Sequence, residues 1–155
     1  MGSRAQRDAV GKIEMSLSFT HLGTGSRGNA TLVESGDAKV LIDQGFSGKQ
    51  LETRLARMEI KPTEIDAIVL THHHGDHGGG ASIAQRRWNI PIFCNDRTAT
   101  ALNLDLRGVQ LFESLEALNF ADDLALLPVP VPHSGADNVA FIASHRGERG
   151  AVITD

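Results

Sequence analysis

Seven residues near the middle of the chain carry the most chemistry: Thr71-His72-His73-His74-Gly75-Asp76-His77. Four of the seven histidines in the protein fall in this run. Neutral imidazole suits zinc and other borderline divalent ions, and a carboxylate suits harder ones. His72 and His74 are two residues apart, so in an extended segment their side chains point the same way and can grip one ion. Asp76 and His77 follow a glycine that lets the chain turn, which places them to face a second ion. His73 lies between two ligands, should point away from them, and is left out of the site. The competing reading is a polar turn with adventitious metal affinity. The spacing His-x-His-x-Asp-His between a buried strand and a helix argues against it.

The flanking elements must position that run. Ile65 to Leu70 is almost wholly apolar, as in a strand covered on both faces, and it leads straight into the cluster. Ligand sites in α/β sheets tend to lie beyond the carboxyl ends of strands. A helix is expected from Gly78 to Trp88, with its amide-rich end aimed at the site. Upstream, Leu17 to Leu22 alternates as a half-buried strand does. The glycine-rich loop Gly23–Asn29 follows, then strands over Ala30 to Glu34 and Lys39 to Ile42. Ser47 and Gln50 form a capping-box pattern for a helix running to about Met58. Downstream, strands are expected over Ile90 to Cys94, Val109 to Phe112, Leu124 to Val131, Val139 to Ser144 and from Ala151. A short helix is expected over 97–105. Strands first, then strand and helix alternating, then strands again predicts an α/β sandwich with a mixed sheet. Residues 1–14 read as a loose, disordered tail before one domain over 15–155.

Composition sets outer limits. The chain has 155 residues, 41% apolar and 22% charged, ordinary for a globular domain. Nothing approaches the ~20 consecutive apolar residues of a membrane helix, so no membrane partner is expected. Cys94, the single cysteine, and the lack of a signal-peptide pattern point to a reducing cytoplasm. The formal net charge of −4 argues mildly against a protein that coats nucleic acid. Two divalent cations would bring it near neutral, so a phosphate-bearing substrate stays open.

The sequence resembles the metallo-β-lactamase superfamily from about Leu17 to its last residue. The run His72, His74, Asp76, His77 matches the family's central motif. The resemblance implies an αββα sandwich, of which this chain would be the N-terminal half. It implies that Asp43, closing the strand Val40-Leu41-Ile42, supports the metal loop without binding metal. It implies that His133, in Pro132-His133-Ser134, is a further ligand to the first ion. It implies that Asp155, ending Val152-Ile153-Thr154-Asp155, bridges both ions. His21 and His145 match no ligand motif and read as structural or surface residues. Gly25-Ser26-Arg27-Gly28-Asn29 with Leu41-Ile42-Asp43 and Ser47-Gly48-Lys49 is similar to the bacterial YycJ (WalJ) branch, which implies a phosphodiesterase or DNA exonuclease.

On that resemblance the cofactors are two divalent ions, zinc foremost with manganese admitted, sharing a hydroxide that Asp76 helps orient. The substrate is then a phosphodiester, with DNA as one candidate. Arg27 is a candidate phosphate contact, though a solvated surface arginine is the simpler reading. Other classes remain open at this point: a thioesterase, lactonase or β-lactamase on the same fold, or a non-catalytic metal-binding fragment. The family pattern continues into a second β-rich half with a fifth, histidine-bearing motif. The sequence ending at Asp155 therefore reads as truncated, with an exposed apolar sheet face open to self-association.

Overall fold

The computed structural model describes residues 5–7, 13–132 and 137–154. His133 and Asp155 lie outside the described residues. In chain order the strands are β1 Ala5–Arg7, β2 Ile13–Met15, β3 Ser18–Gly23, β4 Ala30–Ser35, β5 Ala38–Ile42, β6 Ala67–Val69, β7 Ile92–Cys94, β8 Val109–Leu111, β9 Leu118–Asn119, β10 Ala125–Pro130, β11 Val139–His145 and β12 Glu148–Val152. The α-helices are α1 Gly48–Ala56, α2 Gly75–Gly78, α3 Ala81–Trp88 and α4 Asp96–Ala101.

Two main sheets stack. The larger has the order β3-β4-β5-β6-β7-β8. Its first three strands form an antiparallel meander, and β5 through β8 run parallel. Parallel neighbours require crossovers, and α1, α2 with α3, and α4 supply them. The smaller sheet, β12-β11-β10-β9, is antiparallel throughout. Alternation along the large sheet's strands sorts the core into two layers. Leu32, Leu41, Ile68 and Ile92 pack on Leu51, Leu55, Ala81 and Ala84 of the helices. Their neighbours Val33, Val40, Val69 and Phe93 pack against Leu126, Phe141 and Val152 of the small sheet. A sheet covered on both faces must be apolar at every position, which is why Ile65 to Leu70 shows almost no polar residues.

The order is therefore helices, mixed sheet, antiparallel sheet, an α/β architecture as expected. Three of the four layers of an αββα sandwich are present among the described residues. The apolar face that remains outward belongs to the small sheet, where Leu127, Ile142 and Ala151 stand in register across β10, β11 and β12.

Two local expectations change. Near the N-terminus, Ala5–Arg7 and Ile13–Met15 pair antiparallel with each other. They form a ribbon separate from both main sheets, and three-residue strands are too short to show a period. The helix expected from Gly78 begins later, as α3 at Ala81, and a separate one-turn helix, α2, forms before it within the histidine run. Gly79-Gly80 separates them because Gly80 is drawn onto the β5 exit: its N–H donates to Gln44 O at 2.9 Å. A Cβ on Gly80 would lie 1.9 Å from Phe46 O, so only glycine permits the approach. The strand expected to start at Ala151 starts earlier, at Glu148, since Arg146 and Gly147 turn the chain with positive φ. The Ser47–Gln50 capping box forms as expected.

Cys94 ends β7 fully buried, and burial, with the charge of nearby Asp96, pushes its thiol up to about 12. Thiolate is the reactive form. A maleimide at pH 8 is therefore expected to leave Cys94 unmodified in the native chain and to label it fully in 6 M guanidinium, read by intact mass. Rapid native labelling would contradict this placement.

Candidate metal centre

The site is built where β5 and β6 end. Asp43 follows β5 in the left-handed backbone region, φ 65°, which costs energy for a non-glycine residue. The turn swings its carboxylate across to the chain leaving β6. Oδ1 accepts from the Thr71 N–H at 2.8 Å, and Oδ2 lies 2.8 Å from Thr71 Oγ1. Oδ2 also accepts from His77 Nδ1 at 2.8 Å. Asp43 is 1% exposed. Burial raises its carboxyl above the ordinary range, while the bonds from His77 and Thr71 pull the other way.

With Asp43 ionised, the contacts select one tautomer for two of the rings. His77 gives its Nδ1–H to Asp43, so the lone pair is on Nε2. Thr71 has one hydroxyl proton, which the acceptor-only carboxylate of Asp43 takes. The contact at 2.8 Å between Thr71 Oγ1 and His72 Nδ1 is then a bond donated by His72, which again leaves Nε2 with the lone pair. Fixing one imidazole nitrogen to orient the other is how metal-binding histidines are held. The rings converge: the His72 centroid lies 4.7 Å from that of His74 and 4.2 Å from that of His77. The Asp76 carboxylate, a third exposed, stands 3.6 Å from His77 Nε2.

Main-chain bonds clamp α2 to the loops around it. Asn29 N–H donates to Asp76 O at 2.8 Å, Gln44 N–H to His77 O at 2.7 Å and Gly45 N–H to Asn29 O at 3.0 Å. A Cβ on Gly45 would fall 1.9 Å from Asp76 O, so this glycine is what lets the β5 exit touch the Asp76 peptide. On the other side, Val139 N–H donates to Thr71 O at 3.1 Å. Thr154 donates to Thr71 Oγ1 at 3.3 Å, so the small sheet is tied to the same threonine.

Of the residues singled out in the sequence, His72, His74, Asp76, His77 and Asp43 come together. His133 and Asp155, expected as ligands, lie outside the described residues. His73 sits edge-on to His74 at 5.1 Å. His21 is exposed and its Nδ1 pairs with Thr31 Oγ1 at 2.8 Å; His145 is buried at the end of β11. Sequence reading missed Thr71, Asn29 and Gly45. The only signals available were the position of Thr71 between strand and cluster and the glycines around the other two. Among the described residues no three His, Cys, Asp or Glu side chains stand in closed metal-binding geometry. The fit to a divalent ion rests on donor chemistry: three clustered imidazoles, two of them anchored through Nδ1, and one carboxylate. His72 with His74, and Asp76 with His77, are the pairs that could hold it.

Asp43→Asn puts an amide N–H where Oδ1 or Oδ2 now accepts, so one of its donors must face another donor. Zinc affinity, measured by competition with a chromophoric chelator, is expected to fall about 10- to 100-fold. Unchanged affinity would remove Asp43 from its supporting role.

The family model described as "Metallo-beta-lactamase superfamily" matches residues 23–147. An exodeoxyribonuclease YycJ of Bacillus anthracis is 28% identical over 146 residues, covering 91% of this chain and 55% of its own. An exodeoxyribonuclease WalJ of Streptococcus pneumoniae serotype 2 is 31% identical over 116 residues, covering 70% and 43%. The chain thus spans about half the length of the curated relatives it matches. Among solved structures, MEM-A1, a subclass B3 metallo-beta-lactamase from a soil metagenome library, superposes with a TM-score of 0.69 at 20% identity, covering 84% of this chain and 57% of that one. That likeness concerns the fold alone. With its family pattern running through the strands, the histidine run and the small sheet, the chain belongs to the metallo-beta-lactamase superfamily.

Proposed function

We propose that this chain carries the metal-holding part of a binuclear metal-dependent hydrolase acting on phosphodiesters, with DNA as the favoured substrate. The observation that carries the hydrolase reading is the anchoring of His72 and His77 through Nδ1 by the Thr71–Asp43 pair. A merely polar turn has no need to hold two imidazoles in one tautomer, buried at 1% and 3% exposure. The phosphodiester reading rests on the likeness to the two exodeoxyribonucleases.

In this reading His72, His74 and His133 would hold a first ion, zinc foremost, and Asp76 with His77 would hold a second, for which manganese would also serve. Asp155 would be a further carboxylate ligand. Divalent ions in such a pair activate water at neutral pH and offset charge on a phosphoryl group. The protein's own part is to keep the ligands oriented. Asp43 and Thr71 hold two rings in the ligating tautomer, and the clamp through Asn29, Gln44 and Gly45 keeps α2 in place. Asp76, a third exposed, can in addition accept a hydrogen bond from the attacking water and fix its direction. No helix among the described residues is long and apolar enough to cross a membrane.

The test is a metal count by elemental analysis on untagged protein, with turnover of bis(p-nitrophenyl) phosphate and short duplex DNA, in parallel with His74→Ala and Asp76→Asn. About two ions per chain are expected, with hydrolysis at least 100-fold slower in both variants. Chelation should abolish turnover and zinc or manganese restore it. Preferential cleavage of a thioester, lactone or β-lactam would overturn the substrate class. One ion or fewer without turnover on any substrate would replace the proposal with a metal-binding module.

A further inference from the structure

The glycine-rich loop between β3 and β4 has a role that the ligand set does not explain. Thr24 to Arg27 are exposed at the rim, while the loop's two ends are packed. Gly28 adopts φ 141°, and a Cβ there would lie 2.6 Å from the Phe46 ring. Arg54 stacks on the same ring, 4.2 Å from its centroid, and donates to Leu22 O at 2.5 Å. The loop is therefore seated on Phe46, with one side chain, Asn29, reaching from it into the metal centre.

Asn29 makes two sets of side-chain bonds. Toward the loop, Oδ1 accepts from Gly25 N–H at 2.9 Å and Nδ2 donates to Gly25 O at 2.8 Å, closing a two-bond ring on the main chain of one residue. Toward the centre, the second Nδ2 hydrogen faces Asp76 O at 3.1 Å, His77 Nε2 at 3.3 Å and Asp76 Oδ2 at 3.5 Å. A single N–H cannot satisfy all three acceptors, so it can pass to Asp76 O when Nε2 and Oδ2 turn to another partner. The main-chain bonds of Asn29 to Asp76 and Gly45 hold its Cα regardless of the side chain.

We propose that Asn29 is a positioning residue that latches the exposed loop Thr24–Arg27 to the Asp76–His77 pair, so that loop order and affinity for the second ion are coupled. The inference rests on the two-ion reading above for its metal arm only. The latch itself stands on the hydrogen bonds of this chain.

Two readouts on the full chain test it. Trypsin cleavage at Arg27–Gly28 reports loop order, and zinc titration with calorimetry separates the two ions. Asn29→Ala retains the main-chain clamp and is expected to fold with an unchanged far-ultraviolet spectrum. It should be cleaved about tenfold faster and bind the second ion about tenfold more weakly, with the first ion within about twofold. Asn29→Asp keeps the shape and the acceptor for Gly25 N–H but loses both donations, so its cleavage should match that of the alanine variant. Wild-type cleavage rates in both variants would overturn the latch. Equal weakening of both ions would overturn the coupling. If the wild-type chain takes up fewer than two zinc ions at saturation, the two-ion reading and the coupling fail together, and the cleavage rates alone decide the latch.

Discussion

Taking a carboxylate out of water costs several kcal/mol unless its oxygens are met by donors. Asp43 is almost fully buried, yet each oxygen has a donor: the Thr71 amide at Oδ1, the Thr71 hydroxyl and His77 Nδ1 at Oδ2. The rest of the centre follows from meeting that need. The donors can reach Asp43 only if β5 and β6 are parallel neighbours in register, as Ile42 and Val69 are. They also require the chain after β6 to turn at once and α2 to fold back over the β5 exit. The left-handed backbone at Asp43 is the local cost, offset by these bonds.

The same economy of donors explains the separation of roles among the histidines. His72 and His77 have one nitrogen committed to the protein and so present the other in a defined direction. His74 caps the short helix α2 with its carbonyl, which accepts from His77 and Gly78 N–H at 3.0 and 2.9 Å, so its place is set by main chain. Asp76 is held by its peptide: two N–H groups of Asn29, one main-chain and one side-chain, converge on its carbonyl. Loops, strand ends and a one-turn helix are thus locked by backbone bonds rather than by apolar packing. That suits a polar site at the rim of a core, where there is little apolar surface to bury.

Packing serves the site at one remove. The large sheet is sealed by helices on one side and the small sheet on the other, which fixes the relative height of the strand ends. The small sheet also contributes directly through Val139 and Thr154, both bonded to Thr71. One threonine therefore joins the metal loop, the β5 exit and the second sheet. A side chain with one donor and two acceptor lone pairs can do this where an apolar residue of the same shape cannot.

Much of this was legible without coordinates. The histidine run His72–His77, the buried strand before it, the capping box at Ser47 and the mixed α/β order are local patterns, read from spacing and periodicity within a few residues. Asp43 could be named only through the family resemblance, because a carboxylate after a strand has many uses. The tertiary structure decided which groups meet across long sequence separations. Thr71 meets Asp43 and Thr154, Asn29 meets Asp76, and Gly45 and Gly80 give way to approaching carbonyls. It also moved the start of the helix expected from Gly78 to Ala81 and set a one-turn helix before it, with Gly80 N–H bonded to Gln44 O between them. Side-chain type and spacing determine what chemistry a segment can do. Which nitrogen does it, and what holds it there, depends on partners that only folding brings within hydrogen-bond distance.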